Sequence, residues 1–571
     1  MSTPTQDNPP AGKPSGKKEL SMENRMLIAF GLMALILLAT PYFMPSAKKD
    51  QAVKRPPVKA AETAAPVATS APQAAPPVPV PAGQVAGQRE ETIALESDLY
   101  RVQFSSRGGV VRSWVLKKYK DSQGRPLELV NLKAAGKAGY PFELLGKDRK
   151  PVEAVNSALF AWRQPTPLAV EFEFSDGKVY CRKSFELRKD SYLSEVSSSL
   201  TEGGRAAPHY LAWRGGFGDS SVLGAAAAQH SVYYDVGAAK LHVKSAGDAG
   251  DGGVAERGSY SFAGIEDQYF AAVVLPRSGT PIEVATLADS VADALEEKEQ
   301  PHVGVGLGGE AQLRGTLFVG PKDMDVLRRV EPRLEQLVDF GWFAFFAKPL
   351  FLALHWFNDK YINNYGWSII IITVVINFLL LPLKITSLKS MKKMQVLQPQ
   401  IAAINEKYRG LSMRDPRKAQ QNQEVMELYK KHGVNPLGGC MPMVLQIPFL
   451  FAFYKVLTVA IELRGAPWLW VSDLSRPEDL GIRILPIAMV ASQFVLQKMT
   501  PSTGMDPAQQ KVMLFMPLMF GFMFYGVSSG LVLYWLTGNL VAIGQQVFFN
   551  RMYQAQPVAP AKAPARKKES R

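Results

Sequence analysis

Cysteine is scarce in this sequence, which has only Cys181 and Cys440 among 571 residues. So few thiols exclude a disulfide framework and a metal site built from cysteine. The six histidines never stand three or four residues apart, so no helix carries a histidine pair that could bind a metal. No catalytic constellation stands out either. We therefore expect neither an enzyme nor a cofactor, and no small-molecule substrate.

Carboxylates are missing from the long apolar stretches, although the chain as a whole is well charged. Lys and Arg number 65 against 51 Asp and Glu, a formal net charge of +14. Such an excess favours contact with anionic lipid head groups or with nucleic acid, and composition does not choose between them. A chain of this length should divide into at least two domains.

The N-terminal region begins with a polar segment, residues 1–25, which is followed by an uncharged apolar run at 26–44. A run of this length predicts a transmembrane anchor. A cleaved signal peptide is the alternative, but the apolar run is long for one and "MPSA" is a poor cleavage site. Residues 45–90 are rich in Ala, Pro and Val, which predicts an extended linker that does not pack.

Residues 91–335 contain short runs of alternating apolar and polar residues, such as "LYRVQF" and "LAVEFEF", separated by Gly, Asp and Ser. This period of two predicts an all-β antiparallel sandwich. Two Gly-rich segments, Ser245–Gly258 and Gly304–Gly309, are predicted to be loops. The second matches a dinucleotide-binding pattern, but a strand-like segment follows it where that site requires a helix.

Residues 336–360 predict an amphipathic helix lying at the membrane surface. Gly341, Lys348 and His355 recur every seven residues on one face, and tryptophans flank the segment. The alternative is a further span, which would place Lys348 within the bilayer at a cost of about 2.5–3.5 kcal/mol.

Residues 361–553 predict a membrane α-helical bundle with five spans. A helical hairpin at 384–433 interrupts it, with Asp415 as N-cap and Gly433 as C-cap. Residues 554–571 form a basic tail. The predicted spans are 366–383, 441–461, 482–497, 511–526 and 530–549.

The distribution of charge predicts how the bundle is oriented. Residues 384–440 hold eleven Lys and Arg against four Asp and Glu, whereas residues 462–481 hold two against four. Because short cytoplasmic loops collect cations, the first loop is expected inside and the second outside. Both termini are then cytoplasmic and the β domain lies outside.

Several segments together resemble the YidC/Oxa/Alb family of membrane protein insertases, in its Gram-negative form. They are "YGWSIIIITVVINFLLLPLK", "LQPQI", "VNPLGGCMPMVLQIPFLFAFY", "ELRGAPWLWVSDLS", "DPAQQKVMLFMPLMF" and "SGLVLYWLTGNL". The resemblance implies a five-helix insertase core, an N-terminal anchor helix and an extracytoplasmic, periplasmic β-supersandwich domain in the bacterial inner membrane. It also implies a polar groove, open to cytoplasm and lipid, through which nascent membrane proteins are inserted and folded. The family acts alone or beside the Sec translocon, which is therefore an implied partner together with membrane lipids. Two interpretations of the hairpin stay open: its length, basic charge and Met residues favour docking of the ribosome, together with the basic tail, or of the nascent chain, while the alternative is a solvated hairpin closed by its own apolar seam.

The groove of this family carries an Arg four residues after the position that matches Thr373. This chain has Asn377 there, an amide without fixed charge. Lys384 and Lys455 are candidates to replace that charge, although Lys384 could instead be an ordinary cytoplasmic anchor and Lys455 could reach outward. The other lining candidates, for which hydrogen bonding between helices is an equal explanation, are Gln446, Gln493, Gln497, Tyr534, Trp535 and Asn539.

Two other functions remain open from the residues alone. One is an ion-coupled transporter or channel, although the predicted spans lack intramembrane carboxylates and inverted repeats. The other is a membrane-anchored, sugar-active enzyme built on the β domain. For the insertase we predict that Asn377→Arg is tolerated, and that Lys384→Glu or Lys455→Glu impairs substrates with acidic translocated tails.

Overall fold

The structure is a computed structural model that describes residues 83–222, 224–250, 253–277, 280–292, 299–409, 415, 417–434, 441–499 and 507–553. The predicted N-terminal segment, anchor and basic tail, and most of the linker, lie outside the described residues. The chain divides into two compact units. The described part of the first unit belongs to the hairpin and lies within residues 404–426. The second unit holds all other described residues.

The β domain is built entirely from antiparallel pairs, as the alternating pattern predicts. Its strands form sheets of four, ten and five strands, with orders β1-β2-β3-β4, β13-β12-β15-β16-β19-β9-β8-β7-β6 (β10 pairs with β9) and β14-β17-β18-β11-β5. The strands are β1 Thr92–Glu96, β2 Tyr100–Ser105, β3 Val110–Lys120, β4 Pro126–Glu128, β5 Glu143–Leu145, β6 Ala161–Arg163, β7 Ala169–Ser175, β8 Val179–Leu187, β9 Leu193–Glu202, β10 Arg205–Ala206, β11 His209–Trp213, β12 His230–Asp235, β13 Lys240–Lys244, β14 Val254–Gly258, β15 Tyr260–Glu266, β16 Phe270–Pro276, β17 Ile282–Ala292, β18 Glu299–Glu310 and β19 Gln312–Pro321. Three short helices accompany them: α1 Leu132–Ala138, α2 Glu153–Asn156 and α3 Met324–Val330.

The core of the β domain lies between these sheets and follows from the alternation. In β2, Tyr100, Val102 and Phe104 are fully buried while Arg101 is exposed. Each such side chain contributes about 1.5–3 kcal/mol through burial. Tyr100 stacks on Trp114 of β3, with ring centroids 5.6 Å apart. Strands such as β2 therefore bury one face, as a period of two requires.

Both Gly-rich segments of the β domain differ from their prediction as loops. Val254–Gly258 is strand β14 and pairs with β17, and Ala246–Asp248 is a 3₁₀ turn capped by Ser245. Gly304–Gly309 lies inside β18, where glycine allows close approach of β11: a Cβ on Gly308 would stand 2.1 Å from the carbonyl oxygen of His209. Glycine here serves close packing of strands, and at Gly309 it also permits a φ of +82°.

Lys183 is a cation buried in the core of the β domain. It lies on β8 and is 0% exposed, and its Nζ donates to the carbonyl oxygens of Gly108, at 2.6 Å, and Phe142, at 2.8 Å. Burial lowers the pKa of Lys183 to about 8, because the charged form loses its hydration. The unfolded chain, with an ordinary lysine pKa near 10.5, therefore holds more protons between these two values.

We expect the β domain to become more stable as the pH rises from 8 to 10, relative to Lys183→Met. The unfolded state binds the extra proton in this window, so the free energy of unfolding rises with pH, by at most about 1.4 kcal/mol per pH unit. Urea denaturation of the full chain in detergent, followed by tryptophan fluorescence, measures the difference. An identical pH dependence for the two proteins would contradict the expectation.

The segment predicted to lie at the membrane surface is helical and turns sharply into the next helix. It consists of a 3₁₀ turn, Gly341–Phe343, helix α4, Ala344–Phe357, and a π-helical turn, Asn358–Ile362. Helix α5, Tyr365–Leu379, then leaves at 118°. The predicted polar face is not continuous, because Gly341 has φ +65° and precedes α4. A location at the membrane surface stays a prediction.

The remaining helices correspond to the predicted hairpin and the predicted apolar spans, with shifted ends. They are α6 Leu381–Lys407, α7 Arg417–Lys431, α8 Met441–Val459, α9 Ile484–Met499, α10 Pro507–Phe524 and α11 Ser529–Tyr553. The first predicted span, 366–383, ends early: α5 stops at Leu379 and α6 starts at Leu381, because Pro382 fits only the first turn of a helix. Lys384 therefore lies in the first turn of α6.

Within the described residues, one helix, Ser529–Met552, is long and apolar enough to cross a bilayer by itself. The bent pair Gly341–Ile362 and Tyr365–Leu379 passes the same test when it is taken together. Three apolar helical stretches are shorter: Gln446–Val459, Ile484–Met499 and Phe515–Phe524. At 1.5 Å per residue, the 16 residues of α9 cover about 24 Å.

The hairpin has the caps that the sequence predicts. The Asp415 side chain accepts a hydrogen bond of 2.9 Å from the N–H of Arg417, where α7 begins. After α7, Gly433 has φ +60° and its N–H donates to the carbonyl oxygen of Lys430. Both ends of this helix are thus specified by residues that satisfy its free backbone groups.

Candidate functional site

Helix α11 occupies the middle of the helical block. It packs against α9 on one side and α5 on the other, and touches α8. Helix α10 packs on α9, and α4 packs on α8 and α5. Polar residues predicted from separate segments of the chain therefore meet around α11.

A cluster around Lys384 joins three helices, α5, α6 and α11. The Lys384 Nζ donates to Asn377 Oδ1 at 3.0 Å and to Gln545 Oε1 at 3.1 Å. The Gln545 amide donates in turn to the Asn377 carbonyl oxygen, at 3.2 Å. In the part of the chain that the structure describes, Lys384 takes part in no ion pair. Its positive charge is held by two neutral amide oxygens.

The neighbouring polar groups of α5 are bound to their own helix. Thr373 is fully buried and its hydroxyl donates to the Ile369 carbonyl oxygen, at 2.6 Å. The Asn377 Nδ2 donates to the Thr373 carbonyl oxygen, at 2.8 Å. The amide of Asn377 is thereby oriented with its oxygen toward Lys384. Position 377 thus supplies an acceptor for a lysine.

A second polar contact links α9 with α11. The Asn539 Nδ2 donates to Ser492 Oγ, at 3.1 Å, and to the Met489 carbonyl oxygen, at 3.4 Å. The Trp535 indole donates to Gln493 Oε1, at 3.4 Å, one turn away. Gln497 is half-buried on the same helix. Asn539 and Ser492 are buried. The main role of these groups is therefore to form hydrogen bonds between the two helices.

Helix α8 meets α11 through Gln446 and Tyr534. The Gln446 amide is hydrogen-bonded to the Tyr534 hydroxyl. The Tyr534 ring is buried and stacks on Phe453, with centroids 4.3 Å apart. These candidates therefore lie at successive levels of α11, on different faces that contact α8, α9 and α5.

Lys455 does not join these residues around α11. Its Nζ lies 3.7 Å from Asp339, in the segment that links the β domain to α4. It also lies against Gly341, whose added Cβ would stand 2.9 Å from the Lys455 side chain. The structure thus follows the alternative in which Lys455 reaches outward, and it does not bring Lys455 to Asn377.

Comparison with known proteins identifies the family. Residues 92–353 match the family model of the YidC periplasmic domain, and residues 356–556 match that of the 60Kd inner membrane protein. The membrane protein insertase YidC of Geotalea daltonii is 34% identical over 94% of this chain and 100% of its own length. That of Geobacter metallireducens is 35% identical over 94% of this chain and 99% of its own. The chain belongs to the YidC family of membrane protein insertases.

Membership of the YidC family confirms the fold class: a periplasmic β domain joined to a helical insertase core. It also confirms that the chain is an inner-membrane protein rather than an enzyme. A crystal structure of an active YidC insertase with its first transmembrane domain resolved aligns over 83% of this chain and 95% of that one, at 18% identity and a TM-score of 0.35.

One cavity inside the described β domain bears on the alternative of a sugar-active enzyme. It is lined by apolar side chains, among them Val196, Ile265 and Leu307. A sugar needs hydrogen-bonding groups and an acid–base pair in its site. This cavity can supply neither.

Sequence reasoning missed Gln545 and Ser492. Gln545 follows Tyr534 by eleven residues, about three turns, so both lie on one face of α11. That spacing is the signal that could have found it. Ser492 could have been suspected as the neighbour of Gln493, but only its contact with Asn539 distinguishes it from any serine in a helix.

Proposed function

We propose that this chain inserts nascent membrane proteins into the bacterial inner membrane through a polar groove along α11, with Lys384 as the fixed positive charge of the groove. The observation that carries the proposal is the Lys384 cluster. A cation held by two amide oxygens keeps its charge uncompensated, because neither oxygen carries a formal charge. It therefore retains attraction for a carboxylate on a passing substrate.

The physical task of an insertase is to move polar flanks of a substrate past hydrocarbon. A single charged side chain at the centre of a bilayer costs about 3 kcal/mol on translocon scales. Polar groups at several levels of α11, from Tyr534 to Gln545, offer hydrogen-bond partners along part of that path. The short apolar helix α9, about 24 Å long, favours a locally thinner bilayer than the usual ~30 Å.

The orientation and partners belong to the same proposal. The basic loop 384–440 and the basic tail favour cytoplasmic positions, which places both termini inside. The hairpin, α6 and α7, is then accessible to the ribosome and the emerging chain, and its cations suit contact with ribosomal RNA. The Sec translocon is a second proposed partner, with which the chain would share clients.

Reconstitution into liposomes tests the proposed function. A short single-span substrate should insert without energy input, measured as protection of its translocated tail from added protease. Relief of about half of a ~3 kcal/mol barrier corresponds to about a tenfold higher rate than in empty liposomes. Failure to insert, together with solute flux across the same liposomes, would instead support the transporter alternative.

A further inference from the structure

The periplasmic β domain is joined to the helical block by a buried ion pair. The Arg464 guanidinium lies 2.5 Å from Asp219 Oδ2 and also donates to the Lys120 carbonyl oxygen, at 2.7 Å. Both side chains of the pair are only 5% exposed. The Arg464 guanidinium lies over the rings of Tyr269 and Phe270, at 5.6 and 5.4 Å. This contact has the burial of a core interaction, although Asp219 and Arg464 belong to different parts of the fold.

The acceptor for Arg464 is prepared within the β domain itself. Asp219 Oδ1 accepts from the N–H of Ser221, at 2.9 Å, and its backbone N–H donates to Asp267, at 3.0 Å. Asp267 is held by the N–H groups of Tyr269 and Phe270. Asp219 Oδ2 is thus left pointing at Arg464, and the Arg476 guanidinium lies 3.7 Å from the same oxygen. The carboxylate is oriented by its own domain, and so less free energy is lost when the guanidinium is fixed.

Arg464 belongs to residues 460–483, here called the outer loop, which covers the N-terminal ends of three helices. Asn364, the N-cap of α5, donates its side-chain N–H to the Pro467 carbonyl oxygen, at 3.0 Å. Ser529, the first residue of α11, donates its N–H to the Arg476 carbonyl oxygen, at 2.7 Å. Glu478 accepts the N–H of Leu485 in α9, at 2.8 Å. At α9 and α11, helix N–H groups without partners in their own helix are therefore satisfied by the outer loop, and at α5 the loop binds the side chain of the N-cap.

We propose that the β domain holds the outer loop in place over the N-terminal ends of α5, α9 and α11. The Asp219–Arg464 ion pair, here called the latch, is the contact that fixes the loop. The loop has little secondary structure of its own beyond one 3₁₀ turn and a single β-bridge. Its position therefore depends on its contacts with the β domain on one side and with the three helices on the other. The proposal rests on the proposed function, since an outer loop held in this position closes the groove toward the periplasm while the cytoplasmic side stays open.

Hydrogen exchange of the purified full chain tests the latch without reference to insertion. Asp219→Asn keeps the shape of the side chain but removes its charge. We expect amide exchange in residues 460–483 to speed up at least about tenfold, because the loop opens without the rest of the protein unfolding. Exchange in the β strands and in the middle of α11 should stay as in the wild type. The matched control, Glu310→Gln, removes an exposed ion pair with Arg257 on the same domain and should change nothing.

A double variant shows whether the two residues act together. Arg464→Met should raise exchange as Asp219→Asn does, and the double variant should be no faster than the faster single variant. If Asp219→Asn unfolds the β domain, Arg464→Lys, which leaves that domain intact, should still raise exchange severalfold. Unchanged exchange in 460–483 in a folded Asp219→Asn or Arg464→Lys protein overturns the latch. A wild-type chain that fails to insert substrate would overturn the proposed function alone.

Discussion

Lys384→Glu should slow the insertion of a substrate with an acidic translocated tail by at least about tenfold, which is about 1.4 kcal/mol in the barrier. The substitution replaces the cation by a carboxylate facing the amide oxygens of Asn377 and Gln545. An acidic tail would then meet repulsion where it now meets attraction. The measurement is the insertion rate in liposomes for two substrates that differ only in tail charge. A substrate with a neutral tail should be slowed much less.

The matched control for this experiment is Lys455→Gln. Lys455 lies beside Asp339 at the β-domain end of α8, so its removal should leave the dependence on tail charge unchanged. Equal rates of wild type and Lys384→Glu for the acidic tail would refute the role of Lys384. If the insertion rate of Lys455→Gln no longer depended on the charge of the substrate tail, Lys455 would be the groove cation. That is the other candidate that the sequence analysis named.

A double variant moves the charge rather than removing it. Asn377→Arg combined with Lys384→Gln places the positive charge at position 377 and leaves an amide at 384. If the groove needs only one fixed positive charge near this level, the double variant should insert the acidic-tailed substrate within about threefold of the wild type, under 0.7 kcal/mol. A rate as low as that of Lys384→Glu would mean that the charge acts only from residue 384.

Gly366→Ala should destabilise the helical block, and it should do so through Trp468. A Cβ on Gly366 would stand 2.2 Å from Trp468 Cδ1 and 2.6 Å from Trp468 Cβ. The indole is buried and packs against Trp367 and Trp470, so it has little room to move. Overpacking of this kind costs about 1–3 kcal/mol, which corresponds to a lower Tm by several degrees.

The control for Gly366→Ala is Gly544→Ala on α11. No heavy atom lies within 4 Å of a Cβ at that position, and alanine favours helix over glycine by about 1 kcal/mol. We therefore expect Tm to stay unchanged or to rise slightly. Thermal unfolding of both variants in the same detergent separates the steric effect from the general effect of a methyl group. If the Tm of Gly366→Ala equalled that of the wild type, the Trp468 side chain would be able to move aside for the added methyl group, and the prediction would be wrong.

Predictions that depend on local pattern succeeded for most elements. Alternation of apolar residues predicted strands such as β2 and β8, because one buried face is a property of a few neighbouring residues. The caps Asp415 and Gly433 were predicted for the same reason. Glycine misled the prediction at Gly304–Gly309, since the same residue suits a loop and a strand that approaches another closely.

The sequence by itself determined the two-part organisation, the family and the positions of the helices and strands, because each depends on composition and spacing along a short stretch. Only the tertiary structure shows that Lys384 contacts Asn377 and Gln545 while Lys455 lies beside Asp339, since these contacts depend on partners far away in the chain: Gln545 lies 161 residues from Lys384, and Asp219 lies 245 residues from Arg464. Such pairs leave no local pattern, because burial and charge balance arise only when distant segments pack together.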